Sequence, residues 1–521
     1  MRKLFLILLI LLSCCFKIYT IENAATCSME DISAAITLAD PGEDVVIPIG
    51  DCTWDGVLNI TKQIGLIGSG TAVEGCTGAN CTIIRRSSGY NGYLITLNPA
   101  TDIDQRISNI YFANAGDVSG DRTAINVAGG TVGLSKIRID HNVIKGGQRT
   151  IYVRSYVDEA LIDSNWFING TIAIYGNCDG DAAWGREIAA GTQHAVFVDN
   201  NNFLYNADRL TDGDGWIYLE DGCRFVTRYN NFDGTLYIGN SLFFDAHGNS
   251  GSHGTPTDAA RAAPLIEIYN NKFDAHVTYR YIYIRGGSLL IHDNAFTAID
   301  SSAGYISLTE EESWTSGGPF AVKPEALRWP AWDQINNSFF WNNTYNGSLI
   351  LDITRQTTTD IPYIIKDRDY FMHIPTANGG SESYPTVPGG NDMVFTAEGA
   401  NAYYPYTAYT CPHPLATELS GKTCASATAG STGYGIDAGS AWTATPSISG
   451  VGCSISPVVP TSVDDGETAV FTITVQDAYR LVSVGGTCGG TGTTTYTTSA
   501  VTADCTVVAT CQVQNNFPGV R

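Results

Sequence analysis

Charged residues are scarce in this chain, and most of those present are acidic. They make up 16% of its 521 residues, against about a quarter in an average soluble domain. Lysine and arginine number 29 against 52 aspartates and glutamates, which gives a net charge of -23. A chain without an excess of basic residues is not expected to bind nucleic acid or anionic membranes. The acidity favours solubility and leaves carboxylates available for divalent cations.

The sequence contains no apolar run long enough to span a bilayer. Its N-terminal apolar stretch, Leu4 to Leu12 after Arg2 and Lys3, is too short for that and predicts a secretion signal over residues 1–20. The signal contains Leu-Leu-Ser-Cys14, which is similar to a bacterial lipobox and would place a lipid anchor on Cys14. Cleavage beyond Cys14 by an ordinary signal is the alternative. In both cases we expect a secreted or cell-surface protein whose mature chain has no transmembrane helix.

Cysteine spacing excludes a structural zinc site. No Cys-x-x-Cys pair and no Cys/His cluster with zinc spacing occurs. Of the 14 cysteines, two lie in the signal and the remaining twelve form an even number, which is typical of disulfides in an oxidising compartment. Cys27 and Cys52 flank the first helix-like segment and could tie that segment to the first coil of strands.

One short phrase with a central asparagine recurs along the chain. Examples are IDHNVI, IDSNWF and IYNNKF, in which an apolar residue lies three before the asparagine and another apolar or aromatic residue two after it. The asparagines are Asn142, Asn165, Asn201, Asn230, Asn271, Asn294 and Asn343. The shortest interval, 23 residues, occurs twice, as expected when loops are inserted into some copies of one repeating unit. A unit of this length with short β-branched runs indicates one coil of a parallel β-helix, with the asparagines stacked at equivalent turns.

Three further segments complete the predicted organisation. Residues 28–40 predict a helix with Ser28 as its N-cap and an apolar stripe, ended by Pro41 and Gly42, that closes the open end of the β-helix. We assign residues 26–420 to the β-helix, with residues 376–415 as a layer along it, and the Gly/Ser/Thr-rich residues 421–447 to a linker. Residues 448–513 predict a small β-domain. The cysteines expected to staple it are Cys453, Cys488, Cys505 and Cys511.

The chain resembles a known group in its opening segments and in its asparagine coils. PGEDVVIPIGDCTW and LNITKQIGLIGSG are similar to the start of secreted right-handed parallel β-helix proteins of the pectin lyase-like superfamily. The C-terminal GCSISP, CGGT and ADCTV segments resemble small repeats of bacterial surface proteins. The resemblance implies an all-β fold, a right-handed parallel β-helix with an N-terminal capping helix and a small C-terminal β-domain. The superfamily contains lyases, hydrolases, esterases and noncatalytic surface proteins, so the fold alone does not fix the activity.

Aspartate, histidine and arginine recur at one position of several predicted coils. Counting back nine residues from Asn230 and Asn294 places Asp221 and Arg285 in register, and the strand FFDAHG between them contributes Asp245 and His247. Residues two apart on a strand face the same side. The catalytic prediction is therefore Asp245, His247 and Arg285, together with Arg261 from a Gly-rich insertion. The substrate-binding prediction is Arg154, His194, Asp221 and Glu267.

These residue types suit β-elimination in an acidic extracellular polysaccharide. Arg285 or Arg261 would neutralise a uronate carboxylate, His247 or an arginine would remove the neighbouring proton, and Asp245 would orient the histidine or bind a cation. A glycoside hydrolase using Asp221, Asp245 and Glu267 is one alternative. A noncatalytic glycan-binding or adhesion protein, with these residues as a solvated polar ladder, is the other.

No cofactor is required by this chemistry, although calcium remains an option. Asp179-Gly-Asp181 and Asp212-Gly-Asp214 are similar to fragments of calcium loops, but neither continues to the glutamate of an EF-hand.

Overall fold

The protein is described by a computed structural model. It describes residues 21–100, 102–113, 122–129, 133–154, 156–178, 190–205, 215–239, 242–248, 262–277, 280–298, 304–309, 335–355, 364–376, 403–416, 424, 442–456, 461–463, 468–476, 479–501, 503 and 505–513. Two compact units are distinguished, one of residues 1–415 and 426–431 and one of residues 416–425 and 432–521. Within the described ranges, no helix is long and apolar enough to cross a membrane.

Short strands and one helix make up the first unit. The helix α1 spans Met29–Leu38. The first strands are β1 (Ile21–Asn23), β2 (Glu43–Ile47), β3 (Gly50–Trp54), β4 (Leu58–Ile60), β5 (Ile64–Gly68), β6 (Thr82–Arg86), β7 (Tyr93–Leu97), β8 (Gln105–Ser108), β9 (Tyr111–Ala113), β10 (Thr123–Val127) and β11 (Ile137–Asp140). The next are β12 (Val143–Lys145), β13 (Arg149–Val153), β14 (Glu159–Asp163), β15 (Trp166–Ile168), β16 (Ile172–Asn177), β17 (Ala195–Asp199), β18 (Asn202–Leu204), β19 (Ile217–Glu220), β20 (Phe225–Arg228), β21 (Asn231–Gly239) and β22 (Leu242–Ala246). The last are β23 (Leu265–Tyr269), β24 (Lys272–Val277), β25 (Arg280–Ile284), β26 (Ser288–His292), β27 (Ala295–Ala298), β28 (Gly304–Leu308), β29 (Ser338–Trp341), β30 (Thr344–Tyr345), β31 (Ser348–Leu349), β32 (Thr354–Arg355) and β33 (Tyr370–Phe371).

Successive strands fall into three long sheets, as in a parallel β-helix. In the described part of the chain, sheet A has 12 strands in the order β1-β2-β5-β8-β11-β14-β17-β20-β23-β26-β29-β33. Sheet B has 11 in the order β3-β6-β9-β12-β15-β18-β21-β24-β27-β30-β31, and sheet C has 10 in the order β32-β28-β25-β22-β19-β16-β13-β10-β7-β4. A coil such as β11-β12-β13 therefore gives one strand to each sheet, and coil follows coil in parallel register. The all-β parallel β-helix predicted from the sequence is confirmed, and parallel crossovers of this kind are right-handed in nearly all proteins.

The recurring asparagines form a continuous buried ladder at the turn from sheet A to sheet B. The backbone nitrogen and the Nδ2 of Asn230 both donate to Asn271 Oδ1, at 3.0 and 2.9 Å. Asn271 repeats this pattern toward Asn294, with both distances 3.0 Å. The same bonds link Asn142 through to Asn343, and each ladder asparagine is at most 2% exposed. The predicted ladder is therefore confirmed, and it satisfies backbone donors that the turn would otherwise leave unpaired.

The residues around each ladder asparagine explain why the phrase recurs. The residue just before it has φ between 52° and 56° at His141, Ser164, Asn200, Tyr229, Asn270, Asp293 and Asn342. One residue in this left-handed region bends the chain sharply, and polar residues with short side chains tolerate it best. Two positions after the asparagine, Phe167, Phe203, Phe232, Phe273 and Phe296 stack inside the core with ring centroids 4.5 to 4.8 Å apart.

The helix α1 packs on the N-terminal coils, as predicted. Ser28 is its N-cap, and Ser28 Oγ accepts from the backbone nitrogen of Asp31 at 3.2 Å. The apolar stripe of α1 is buried, with Ile32 fully so. Lys62 Nζ donates to the carbonyls of Ile36 and Thr37 at 3.2 Å, which suits the negative end of a helix dipole. The Cys27–Cys52 disulfide holds the start of the helix to β3.

The second unit contains a small two-sheet β-domain. Its strands are β34 (Trp442–Gly450), β35 (Cys453–Ser456), β36 (Thr461–Val463), β37 (Val470–Val475), β38 (Tyr479–Gly485), β39 (Thr491–Gly492), β40 (Thr495–Thr497) and β41 (Cys505–Val513). Among the described residues they form the sheets β36-β34-β41-β38 and β35-β37-β40-β39. Phe471, Tyr496 and Val507 are buried between them. Cys453–Cys511 and Cys488–Cys505 are disulfides.

All twelve cysteines beyond the signal are disulfide-bonded. Besides the pairs already given, Cys76 bonds Cys81 and Cys178 bonds Cys223, and Cys411 and Cys424 are also disulfide-bonded. This complete oxidation indicates that the chain folds in an oxidising environment. Cys14 and the rest of the predicted signal lie outside the described residues.

Candidate functional site on the outer face of sheet C

Two neighbouring columns of side chains run along the outer face of sheet C. The tyrosine column is Tyr152, Tyr175, Tyr218, Asp245, Tyr283 and Ser307, which are partners in successive strand registers. The polar column lies two residues further along each strand and is Arg154, Asn177, Glu220, His247, Arg285 and Thr309. Residues two apart on a strand share a face, so the two columns lie side by side. Together they are called the sheet C strip.

Asp245, His247 and Arg285 form a hydrogen-bonded triangle at the centre of the strip. Arg285 Nη2 donates to Asp245 Oδ2 at 2.5 Å, and Arg285 Nη1 lies 3.3 Å from His247 Nδ1. His247 Nε2 lies 3.4 Å from Asp245 Oδ2. A guanidinium has only donors, so His247 Nδ1 is the acceptor and the Nε2 proton faces Asp245. The structure thus brings three of the four predicted catalytic residues together.

The triangle is largely shielded from solvent. The exposed fractions of the side chains are 3% for Asp245, 15% for Arg285 and 18% for His247. Shielding strengthens the attraction between these charges and makes a single unpaired charge costly. Within the described part of the chain, Asp245 Oδ1 has no hydrogen-bond partner.

Glu220, rather than the predicted Asp221, occupies the polar column beside His247. Glu220 pairs in register with Asn177, and its Oε1 accepts from Asn177 Nδ2 at 2.7 Å and from the Tyr175 hydroxyl. Asp221 follows the strand, has φ of 62° and is 8% exposed. The predicted register was one residue off because the turn after β19 is one residue longer than the turn after β25. Asp221 therefore forms a turn, and the acid on the strip is Glu220.

Aromatic rings and arginines alternate along the strip. The Tyr218 ring lies 4.5 Å from the His247 ring. Arg280 and Arg285 stand over Tyr283, with Cζ 4.2 and 4.7 Å from its ring centre. At the other end, Arg149 stands 4.3 Å from the Tyr175 ring centre. Four arginines on one face, once Arg154 is included, are a local concentration of positive charge in a strongly acidic chain.

Two tyrosines of the strip, Tyr175 and Tyr218, are held in their protonated form. Burial raises the pKa of Tyr218, and the nearby carboxylates of Asp245 and Glu220 raise it further. Burial also raises the pKa of Tyr175, with the hydrogen bond to Glu220 acting in the same direction. At neutral pH these phenols are therefore proton donors rather than phenolates.

Of the other predicted residues, Arg154 lies on the strip and Arg261 lies outside the described residues. Arg154 is three coils before His247 in the polar column. Its Nη1 donates to the Tyr93 hydroxyl at 3.1 Å, and its Cζ is 5.2 Å from the Tyr152 ring centre. Arg154 is thus a neighbour of the triangle along the strip and not a direct contact of it.

Glu267 lies on sheet A, away from the strip, where it anchors a covering segment (residues 403–415). It is fully buried. The Tyr406 hydroxyl donates to its Oε2 at 2.6 Å, the Gly191 nitrogen donates to its Oε1 at 3.1 Å, and Arg224 pairs with it. A carboxylate with these partners has a structural role in the present fold. Its burial could not be foreseen, because the sequence does not show which sheet the covering segment crosses.

The covering segment runs along the outer face of sheet A. It belongs to residues 376–415, which were predicted to form a layer along the β-helix. Residues 377–402 lie outside the described part. Arg228 donates to the carbonyls of Tyr409 and Thr410 at 2.6 and 3.0 Å. Arg228 is itself fully buried and paired with Asp199 at 2.8 Å. The ring of His413 packs 4.5 Å from the Phe197 ring. These contacts cover the outer face of sheet A at β17 and β20.

His194 also belongs to the sheet A side. It immediately precedes β17, and its Nδ1 lies 3.0 Å from both carboxylate oxygens of Asp158. Its side chain is 46% exposed. The structure does not bring His194 to the Asp245 triangle.

No metal cluster is found in the part of the chain that is described. There, no group of three or more His, Cys, Asp or Glu side chains is placed to hold an ion. The aspartates of the two predicted calcium-loop fragments, at 179, 181, 212 and 214, lie outside the described residues. Calcium binding by those loops stays a prediction.

Comparison with known proteins assigns no activity to the chain. No protein-family model and no curated protein sequence matches it. A solved structure that does match is the alginate lyase from Paenibacillus sp. str. FPU-7, at 10% sequence identity and a TM-score of 0.22, over 65% of this chain and 98% of that chain. A similarity this low gives neither an activity nor a residue role to this protein.

Proposed function

We propose that the sheet C strip cleaves an acidic extracellular polysaccharide by β-elimination. The observation that carries the proposal is the triangle of Asp245, His247 and Arg285, in which one arginine contacts both a shielded carboxylate and a histidine nitrogen. β-Elimination requires a cation for the uronate carboxylate, a base for the neighbouring carbon-bound proton and a donor for the departing oxygen. The strip holds a group of each type within adjacent coils.

Arg285 is suited to couple substrate binding to the activation of His247. When a substrate takes the Nη1 donor of Arg285, His247 Nδ1 becomes available as the base. Arg285 Nη2 is held by Asp245, whereas its Nη1 contacts a neutral imidazole nitrogen, His247 Nδ1. A uronate carboxylate is a stronger acceptor than a neutral imidazole and would take the Nη1 donor. His247 Nδ1 could then accept the proton, while Asp245 stabilises the imidazolium through Nε2.

The remaining steps follow from the same groups. Removal of the proton next to the neutralised carboxylate leaves an electron pair that forms a carbon–carbon double bond and expels the glycosidic oxygen. Tyr218, whose ring lies against His247, is the protonated donor for that oxygen. The products are an unsaturated uronate at one new end and an ordinary hydroxyl at the other. No oxidant, metal or water is consumed.

The two-carboxylate hydrolase is the weaker alternative. Of its predicted residues, Asp221 lies in a turn, Asp245 on sheet C and Glu267 on sheet A. The three carboxylates therefore do not face one another. A noncatalytic glycan-binding role would use the same arginines and tyrosines. We propose secretion or cell-surface location for either function, in keeping with the oxidised cysteines.

The direct test is ultraviolet absorbance of the new double bond during incubation with a panel of uronate polymers and neutral glycans. The proposal expects rising absorbance on at least one uronate polymer. Saturated reducing ends without absorbance would favour a hydrolase. Binding without any product would favour a noncatalytic protein.

A further inference from the structure

Accessibility along the polar column ends abruptly just beyond the triangle. Arg154 is exposed, Asn177 and Glu220 are half-buried, and His247 and Arg285 keep 18% and 15% of their side-chain surface. The next member, Thr309, is 0% exposed, and in the tyrosine column Tyr283 and Ser307 are 1% and 0% exposed. A ligand on the strip can therefore extend toward the N-terminal coils but cannot continue past Arg285.

The reactive groups lie at this closed end. His247 and Arg285 are the last accessible members of the polar column in the C-terminal direction. A uronate whose carboxylate meets Arg285 Nη1 has room for linked sugars on one side only. An internal unit of a long chain would need open surface on both sides.

The open side carries a second group suited to an acidic sugar. Arg154 lies three coils from His247, about 14 Å along the strip at the usual spacing between strands. Tyr152 beneath it is half-buried, and its ring centre lies 5.2 Å from Arg154 Cζ. Among the described residues, Arg154 makes no ion pair with a carboxylate. A guanidinium over an aromatic ring fits the carboxylate and the ring face of a uronate unit.

We propose that the strip is a one-ended groove and that the protein shortens acidic polysaccharides from a chain end. The inference rests on the proposed β-elimination and adds the mode of attack. The terminal units occupy the coils of His247 and Arg285, and the rest of the chain runs over Glu220 and Asn177 to Arg154. Arg154 is a binding residue for a remote uronate and takes no part in bond cleavage.

Product sizes over time test the mode of attack. The wild-type protein is incubated with a uronate polymer that it cleaves, and viscosity and product sizes are followed from the first few per cent of cleavage. One small unsaturated product from the earliest sample, with a slow fall in viscosity, is expected. A ladder of intermediate unsaturated oligomers with a rapid fall in viscosity would overturn the one-ended groove and leave β-elimination intact. Absence of any unsaturated product on every uronate polymer would overturn both.

The Arg154→Ala variant tests the remote contact. We expect KM for the polymer to rise about tenfold, the size of one lost charged contact, with kcat unchanged. KM for an oligomer too short to span three coils should stay the same. Arg85→Ala is the matched control, because Arg85 is an exposed arginine on sheet B paired with Asp51. An equal rise in KM for short and long substrates, or no rise for the polymer, would contradict the placement of the chain.

Discussion

Arg285 Nη2 lies 2.5 Å from Asp245 Oδ2, although the two residues are 40 positions apart in the sequence. The stacking of coils brings them together, since β22 and β25 are neighbours in sheet C. Both side chains are at least 85% shielded, so replacing one leaves a charge that is poorly solvated and unpaired. Variants of either residue therefore need a check of folding beside every measurement of activity. Arg285→Lys, which keeps the charge but loses the fork geometry, is a useful companion to Arg285→Ala.

Replacing Asn271 with Ala should lower the stability of the β-helix by about 1–3 kcal/mol, the usual cost of leaving buried hydrogen-bonding groups unsatisfied. The side chain accepts two bonds from Asn230 and donates to Thr227, Tyr269 and Asn294. Thermal unfolding followed by circular dichroism measures the change. Asn202→Ala is the control, because Asn202 lies on the outer face of sheet B and is only half-buried. Equal melting temperatures for Asn271→Ala and the wild-type protein would remove the ladder as a source of stability.

Reduction should loosen the C-terminal β-domain before the β-helix. The small domain has two disulfides, Cys453–Cys511 and Cys488–Cys505, that close loops of 58 and 17 residues. Its core is small, so constraints on the unfolded chain account for more of its stability. Proteolysis with and without reductant should show early cleavage within residues 448–513. The expectation fails if unreduced peptide maps show these four cysteines as free thiols, or if the β-helix is cleaved first.

His413 should make the protein less stable as the pH falls. Burial and the nearby charges of Arg228 and Arg138 lower the pKa of His413 to about 3, against about 6.5 in an unfolded chain. Between these values the unfolded state binds the extra proton, so stability is fully present above pH 6.5 and is lost as the pH falls toward 3. The expected slope is about 1 kcal/mol per pH unit from this group.

The check is a series of denaturation measurements from pH 7 to pH 4 on the wild-type protein and on His413→Gln. The glutamine cannot be protonated and should flatten part of the slope. His373→Gln, the same change at an exposed histidine, is the matched control. The contact with Phe197 indicates that His413 is buried. Identical slopes of stability against pH for His413→Gln and the wild-type protein would contradict that burial.

The asparagine phrase was sufficient to predict the fold, because each part of it has a local physical role. The asparagine bonds its neighbour, the residue before it bends the chain, and the aromatic residue after it enters the core. Each role follows from sequence spacing alone. The predicted helix at residues 28–40 succeeded for the same reason, since capping and amphipathic spacing are local signals.

The candidate site was only partly predictable, because its register depends on loop length. The position on sheet C was found by counting back nine residues from each ladder asparagine. That count crosses the turn from sheet C to sheet A. Because the length of this turn varies by one residue between coils, the count gave Asp221 instead of Glu220. The dipeptide Ile-Tyr occurs at four members of the tyrosine column, Tyr152, Tyr175, Tyr218 and Tyr283, but also at Tyr111 on sheet B and at Tyr269 on sheet A. It therefore identifies the column only after the strands have been assigned to their sheets. Glu267 was misplaced for another reason: an outward-facing acid on sheet A cannot be distinguished from one on sheet C before the three strands of each coil are assigned.

The most direct test of the central claim compares the wild-type protein with His247→Ala and Arg285→Ala in the ultraviolet assay on a uronate polymer that the wild-type protein cleaves. We expect each variant to form the unsaturated product at least about 10²-fold more slowly, a usual loss for an acid–base or charge-stabilising group. Lys136→Ala, a change at an exposed lysine just before β11, should keep the wild-type rate, and the melting temperatures should show that all variants are folded. Folded variants of His247 and Arg285 that retain the full rate would contradict the assignment of catalysis to the sheet C strip.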